Sequence, residues 1–172
     1  MKINFNQLDR AYHKYKSEYD SAVLEVLESG WYILGQKLEN FEKEFSEFTG
    51  SQYCVGLNSG LDALVLAFRA LDIKAGDEVI VPANTYIASI LGISENGAIP
   101  VFIEPDEYNN INTEQIEKKI NRKTKAILAV HLYGQSANMR KIKDFADKHN
   151  LFLVEDCAQS HGAKFDDIVT GT

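Results

Sequence analysis

Residues 125–132 read KAILAVHL, a run of apolar and β-branched residues with polar residues on either side. Such a run predicts a strand, and its continuous apolar character predicts burial on both faces, as in a parallel sheet. Four further runs, on both sides of it along the chain, have the same character. They are residues 53–57, 78–81, 100–103 and 151–155. The sequence therefore predicts a sheet of five strands.

Apolar residues at helical spacing separate these strands, which favours an α/β domain with a mostly parallel sheet. The four helical faces are Leu61, Leu64, Val65, Phe68 and Leu71; Ile87, Ile90, Leu91 and Ser94; Ile116 and Ile120; and Ile142, Phe145 and Ala146. Residues 12–29 and 37–48 predict two further amphipathic helices, separated by a segment between two glycines. No internal repeat or linker divides the chain, so residues 1–172 are expected to form one unit.

Composition excludes several classes of function. The chain has 172 residues, 45% of them hydrophobic, which suits one domain with a substantial core. Its net charge of −7 disfavours nucleic acid and anionic membranes as partners, because phosphate groups would be repelled. No run is long and apolar enough for a membrane span, and Cys54 and Cys157 indicate no disulfide framework. We therefore expect a soluble, cytoplasmic protein.

A small polar turn follows the first predicted strand and leads directly into a helix. The backbone N–H groups of Ser59, Gly60 and Leu61 would lie in the first helical turn, where they have no intrahelical acceptor. Such groups bind phosphate without any basic side chain. The alternative is that Asn58 or Ser59 only caps the helix. The turn is therefore a candidate phosphate site at the carboxyl edge of the sheet.

Three other polar or aromatic residues follow predicted strands and would face the same cleft. Tyr86 could stack on a flat ring, although a half-buried core tyrosine is an alternative. Successive strand residues face opposite sides, so only one of Glu155 and Asp156 enters the cleft, and we favour Asp156. Its carboxylate could pair with a pyridinium nitrogen, or alternatively form a structural salt bridge or helix cap. Gln159 could hydrogen-bond an oxygen of that ring.

Other common site motifs are absent from the sequence. The four histidines lack metal-ligand spacing, and Cys157 with His161 falls short of a ligand set, so we expect no metal site. No G-x-S-x-G, P-loop or strand-linked G-x-G-x-x-G occurs, which disfavours hydrolases, nucleoside triphosphatases and dinucleotide oxidoreductases.

Five segments, in this order, closely resemble motifs of the DegT/DnrJ/StrS sugar aminotransferases. They are SGWYILG at residues 29–35, NSGLDAL at 58–64, GDEVIVPANTY at 76–86, VHLYGQ at 130–135 and EDCAQSHGA at 155–163. The resemblance implies the fold of type I transferases that depend on pyridoxal phosphate (PLP), in an α/β/α sandwich. It also implies a homodimer that transfers an amino group from glutamate to a nucleotide-linked keto sugar. Residues 84–87 and 104–106 look most like members that aminate C3 of a dTDP-linked 3-keto-6-deoxyhexose.

The resemblance also implies roles for individual residues. Gly60 and Leu61, with Ser59, would hold the cofactor phosphate. Tyr86 would stack on the ring, Asp156 would pair with the ring nitrogen, and Gln159 would contact the ring hydroxyl. Trp31 and Tyr32 match a segment near the rim of the site, so they are expected to contact substrate or the neighbouring subunit, or else to serve packing.

The resemblance places the catalytic lysine a few tens of residues beyond the Asp-x-x-Gln motif, and this sequence ends at Thr172 before it. Lys164 lacks that setting. We therefore expect residues 1–172 to be the N-terminal part of the large domain, incomplete at its C-terminus, without the small domain and inactive by itself. Two alternatives stay open: a pyridoxamine-phosphate-dependent sugar dehydratase of the same family, and a non-catalytic binding or dimerisation fragment.

Overall fold

A computed structural model describes residues 5–172 of the chain. The helices in these residues are α1 (Asp9–Lys14), α2 (Lys16–Ser29), α3 (Gln36–Thr49), α4 (Gly60–Ala70), α5 (Ile87–Ser94), α6 (Thr113–Lys119) and α7 (Met139–His149). The strands are β1 (Glu78–Pro82), β2 (Ile99–Ile103), β3 (Thr124–Val130), β4 (Phe152–Asp156), β5 (Lys164–Phe165) and β6 (Ile168–Val169). No helix in the described part of the chain is both long and apolar enough to cross a lipid bilayer.

The main sheet has four parallel strands in the order β2-β1-β3-β4. Helix α5 connects β1 to β2, α6 connects β2 to β3, and α7 connects β3 to β4, so each helix returns the chain to the same end of the sheet. The short strands β5 and β6 form a separate antiparallel pair. The carboxyl ends of all four main strands therefore lie along one edge.

Alternate residues of the strands enter two separate cores, one on each face of the sheet. Val79 and Val81 of β1 pack with Leu64 and Phe68 of α4 and with Ile93 of α5. The second core takes the intervening strand residues and covers them with α6 and α7. It consists of Ile80, Ile103, Ile111, Ile116, Ile127, Ala129, Ala137, Ile142 and Ala146. The predicted α/β/α sandwich is confirmed, and it explains why β1 and β3 lack polar alternation.

Helices α4 and α5 make an unusually close contact. A Cβ atom at Gly92 would lie only 2.6 Å from Cβ of Leu64, so only glycine allows this approach without movement. The Asn96 amide reinforces the contact, since its Nδ2 donates to the carbonyls of Val65 and Gly92, at 3.1 and 2.9 Å. The two helices begin at residues of the predicted cleft, so this contact fixes the spacing of its two walls.

Three predicted elements differ from the structure. Residues 53–57 form no strand, because no strand in residues 5–172 lies beside them, and Tyr53 and Val55 remain 77% and 72% exposed. The predicted helix over residues 12–29 is two helices, which meet at a non-helical backbone conformation of Tyr15. The strand expected over residues 125–132 ends at Val130, and a short 3₁₀ turn follows.

Candidate cofactor site

One cavity of about 530 Å³ lies at the carboxyl edge of the main sheet. The N-terminus of α4 forms one wall, the segment after β1 forms another, and the residues after β3 and β4 form its base. All six residues predicted to bind a cofactor line this cavity: Ser59, Gly60, Leu61, Tyr86, Asp156 and Gln159. The structure therefore brings together side chains that are separated by up to 100 residues in sequence.

The N-terminus of α4 offers free backbone donors to the cavity. The N–H groups of Gly60 and Leu61 have no acceptor within residues 5–172. The Ser59 hydroxyl is already engaged, because it accepts from the backbone N–H of Asp62 at 3.1 Å and donates to the Asp62 carboxylate at 3.0 Å. Ser59 thus caps the helix, as the alternative interpretation of this turn proposed. An anion here would rely on the two free N–H groups and the positive end of the helix dipole.

Tyr86 lies immediately before α5, with its ring at the mouth of the cavity. Its side chain is 72% exposed, which contradicts the alternative of a half-buried core tyrosine. Exposed aromatic rings at the rim of a cavity are suited to stack on a flat ligand, because burying both apolar faces is favourable. The position of Tyr86 is therefore compatible with a ring-stacking role.

Asp156 ends β4 and turns its carboxylate into the cavity. Its Oδ2 accepts from the hydroxyl of Ser89 at 2.9 Å, and its Oδ1 accepts from the backbone N–H of Ala158 at 3.1 Å. It forms no salt bridge with any residue from 5 to 172, and no helix begins there for it to cap. A partly buried carboxylate with hydrogen bonds but no cation is suited to a positively charged ligand atom.

The Gln159 side chain has a defined orientation. Its Oε1 accepts from the backbone N–H of Tyr133 at 2.7 Å. Because a backbone N–H can only donate, the carboxamide must present its oxygen to Tyr133, which leaves the Nε2 donor available to the cavity. Tyr133 holds this N–H in place with a left-handed backbone conformation, φ 59°. Such a conformation is costly for a residue other than glycine and is often found at functional sites.

Glu155 points to the opposite side of β4, as the alternation of strand residues requires. Its Oε2 lies 2.8 Å from Nε2 of the fully buried His131 and also accepts from the backbone N–H of Gly171 at 3.0 Å.

Burial opposes a charge on His131, whereas hydrogen bonds to Cys157 and Glu155 act to raise the pKa of the imidazole to about 9. The N–H of Ala137 opposes this rise, because it points at Nδ1 from 3.0 Å. That hydrogen bond requires a lone pair on Nδ1 and therefore favours the neutral ring with its proton on Nε2.

The side chains of His131, Glu155 and Cys157 lie close enough together to suggest a metal site. The tautomer of His131 argues against one. A metal at Nε2 would require the proton to move to Nδ1, where it would face the N–H of Ala137. The trio is better described as a buried hydrogen-bond cluster that supports the end of β4.

Trp31 and Tyr32 do not line the cofactor cavity. They line a different cavity of about 700 Å³, together with residues of α2, of α3 and of the segment 56–58 that precedes the α4 turn. The Trp31 Nε1 donates to the carbonyl of Ile33 at 2.7 Å, and the Tyr32 hydroxyl donates to that of Leu27 at 3.2 Å. These contacts are local, so the role of the pair toward substrate or a neighbouring subunit stays a prediction.

Sequence reasoning missed two residues that contact the site. Ser89 is 1% exposed and reaches Asp156 from α5, and Thr85 contacts Ser89 and lines the cavity. A signal for Ser89 existed, since it is the one hydroxyl in the otherwise apolar residues 87–93. Fold and cavity together define an α/β domain whose cleft, at the carboxyl edge of the sheet, has free backbone N–H groups on one side and a carboxylate on the other.

Comparison with known proteins agrees with this description. The DegT/DnrJ/EryC1/StrS aminotransferase family matches residues 13–172. The dTDP-3-amino-3,6-dideoxy-alpha-D-galactopyranose transaminase of Aneurinibacillus thermoaerophilus is 55% identical over 162 residues, which are 94% of this chain and 45% of that protein. The crystal structure of S. venezuelae DesV in complex with a ketimine intermediate has a TM-score of 0.91 at 48% identity, covering 94% of this chain and 44% of that one.

A third similar structure is that of a GDP-4-keto-6-deoxymannose-3-dehydratase with a trapped PLP-glutamate geminal diamine. Its TM-score is 0.83 at 31% identity, over 88% of this chain and 41% of that chain. The chain belongs to the DegT/DnrJ/EryC1/StrS aminotransferase family, and the resemblance in its motifs is confirmed. It spans about 45% of the length of the relatives that it matches.

Proposed function

We propose that the chain is the N-terminal part of the large domain of a PLP-dependent aminotransferase. The whole enzyme would transfer an amino group from glutamate to a nucleotide-linked keto-deoxysugar, in the biosynthesis of a deoxyamino sugar or surface polysaccharide. Identity of 55% to a dTDP-3-amino sugar transaminase supports a dTDP-linked substrate aminated at C3. Trp31 and Tyr32 are our candidates for contact with the sugar nucleotide or with the second subunit of a homodimer. Such an enzyme would act in the cytoplasm.

The observation that carries this proposal is a cavity that holds both the Asp156 carboxylate and the first N–H groups of α4. Within residues 5–172, the carboxylate has no cationic partner and these N–H groups have no acceptor. A carboxylate without a cation and helix donors without an acceptor are each unfavourable when they are removed from water. One ligand with a phosphate at one end and a protonated ring nitrogen at the other satisfies both. PLP and pyridoxamine phosphate (PMP) have this form.

The residues of this cavity can bind and orient such a cofactor. Bound PLP supplies an electron sink for the charge that remains when a C–H bond of the amino donor is broken. Gly60 and Leu61 donate to the phosphate, and Tyr86 covers one ring face and excludes water. Asp156 keeps a proton on the ring nitrogen, and the Nε2 of Gln159 donates to the ring oxygen.

Proton transfer at the reacting carbon needs a base that residues 5–172 do not bring to the cavity. No lysine of this part of the chain lines it, and Lys164 lies exposed in β5. The family chemistry relies on a lysine that both binds the cofactor covalently and carries the proton. We therefore propose that these 172 residues alone bind the cofactor without performing transamination.

Two alternatives differ in testable ways. A sugar dehydratase would use the same cofactor cavity, but the chain is closer in sequence to the dTDP-sugar transaminase, at 55%, than to the dehydratase structure, at 31%. A purely structural or dimerisation fragment would not need a carboxylate without a cation in an open cavity, whereas a non-catalytic cofactor-binding fragment is separated from the enzyme only by an activity test. The transaminase is therefore the function that the site supports best.

Binding of PMP tests the site directly. We expect the purified chain to bind PMP, followed by its absorbance and fluorescence, and Asp156→Asn to weaken binding about 100-fold, because a hydrogen-bonded ion pair is lost. Asp144→Asn, which removes an exposed carboxylate of α7, is the matched control and should bind as the natural chain does. Equal binding by the Asp156 and Asp144 variants would refute the assignment.

Activity is tested separately with a chimeric protein. It joins these 172 residues to the C-terminal part of the A. thermoaerophilus transaminase, of which this chain covers only 45%. We expect the joined protein to convert glutamate and a dTDP-linked 3-keto sugar to 2-oxoglutarate and the 3-amino sugar. Loss of a sugar hydroxyl without amination would instead support the dehydratase. Binding of PMP without either reaction would leave the non-catalytic alternative.

A further inference from the structure

Ser89 is a buried polar residue that does not line the cofactor cavity but contacts Asp156, which does. It is the third residue of α5 and is 1% exposed, in a helix whose other residues are mostly apolar. Its hydroxyl reaches across from α5 to the end of β4 and donates to Oδ2 of Asp156 at 2.9 Å. A hydroxyl buried among apolar residues costs free energy unless it has a hydrogen-bond partner. Because Asp156 is the acceptor here, it fixes the direction in which the Ser89 hydroxyl points.

The direction of the neighbouring hydrogen bond follows from this contact. Ser89 has a single hydroxyl proton, which goes to the carboxylate because an ionised carboxylate can only accept. The 2.8 Å contact between Thr85 Oγ1 and Ser89 Oγ must then have Thr85 as its donor. The result is a directed chain of two hydroxyls, from Thr85 through Ser89 to Asp156, in which each bond polarises and strengthens the next.

The carboxylate receives one donor on each oxygen. Ser89 serves Oδ2, and the backbone N–H of Ala158 serves Oδ1 at 3.1 Å. Two donors on opposite oxygens fix the plane of the carboxylate. When a carboxylate shares a proton with a ring nitrogen, donors to the carboxylate shift that proton toward the nitrogen.

We propose that Ser89, supported by Thr85, is a positioning residue that orients the Asp156 carboxylate, so that the ring nitrogen of a bound pyridoxal cofactor stays protonated. This inference rests on the proposed cofactor site and extends it to two residues for which the sequence predicted no role. Ser89 itself does not touch the cofactor and acts through Asp156.

The experiment uses the 172-residue chain with PMP that is ¹⁵N-labelled at the ring nitrogen. The ¹⁵N chemical shift reports the protonation of that atom as pH is raised. We expect Ser89→Ala to lower the pH at which the nitrogen loses its proton by about one unit, and to weaken PMP binding about tenfold. Thr85→Val, which keeps the shape of the side chain, should give a smaller change in the same direction.

Two further variants separate positioning from packing. Ser89→Thr keeps the hydroxyl and should restore the titration of the ring nitrogen. Ser94→Ala removes an exposed hydroxyl from the same helix and should change neither quantity. Far-UV circular dichroism and melting temperature confirm that each variant is folded.

Each outcome is informative. If Asp156→Asn alters the titration but Ser89→Ala and Thr85→Val do not, the role of Ser89 is refuted while the cofactor site stands. If Ser89→Ala weakens binding without moving the titration, Ser89 only packs, which also refutes the inference. If the natural chain does not bind PMP, the cofactor site and the inference fail together.

Discussion

Replacement of Gly92 by alanine tests the close contact between α4 and α5. The added Cβ would lie 2.6 Å from Cβ of Leu64, whereas carbon atoms pack at about 3.5–4.0 Å, so the helices must separate by about 1 Å. Overpacking of this kind destabilises the folded state by about 2 kcal/mol, and the better helix propensity of alanine offsets about 1 kcal/mol of that loss. The free energy of unfolding should therefore fall by about 1 kcal/mol, which lowers the melting temperature by about 2–4 °C.

Thermal unfolding followed by circular dichroism measures this effect, and PMP binding should weaken in parallel because the two walls of the cleft move apart. Gly60→Ala is the control for stability, since no atom lies within 4 Å of the added methyl group. Leu64→Ala should not rescue Gly92→Ala, because alanine keeps the Cβ that clashes. A melting temperature equal to or above that of the natural chain would show that the helices have room to spare and refute the reasoning.

Two other predictions concern the base of the cleft. Gln159→Glu keeps an acceptor for the N–H of Tyr133 but removes the Nε2 donor, so PMP binding should weaken at least tenfold. Gln135→Glu, at an exposed position, is the control and should leave PMP binding unchanged. Equal losses of binding in the two variants would contradict the orientation of Gln159. For His131, long-range ¹H–¹⁵N NMR at pH 7 should show a neutral ring with its proton on Nε2, because the N–H of Ala137 occupies the lone pair of Nδ1. An imidazolium signal would show that Glu155 and Cys157 outweigh that amide.

The central strands could be predicted because strands that are buried on both faces have continuous runs of apolar residues. Val79, Ile80 and Val81 enter opposite cores in turn, so each position must be apolar. Residues 53–57 have a similar apolar run and yet form no strand. A strand also needs a second strand beside it in the sheet, and the periodicity of a sequence does not show which strands pair. The contact of Gly92 with Leu64 was equally hidden, since it depends on how two helices pack.

The cofactor cavity was predictable in its outline because ligands of α/β sheets lie beyond the carboxyl ends of the strands. Tyr86, Asp156 and Gln159 each lie at or just beyond the end of a strand and were found from that rule. Ser89 was missed because it lies inside a helix whose apolar face was assigned to the core. Its partner is 67 residues away, and only the fold shows that its hydroxyl reaches Asp156.

The irregular segment at residues 53–57 has a practical consequence. Its apolar side chains, including those of Tyr53 and Val55, project into solvent, and most of its backbone has no sheet neighbour within residues 5–172. Exposed apolar segments with unpaired backbone groups pair with the same segment of another molecule and start intermolecular β-structure. Concentrated solutions of these 172 residues should therefore lose material to aggregation, which makes dilute samples the right choice for every titration described above.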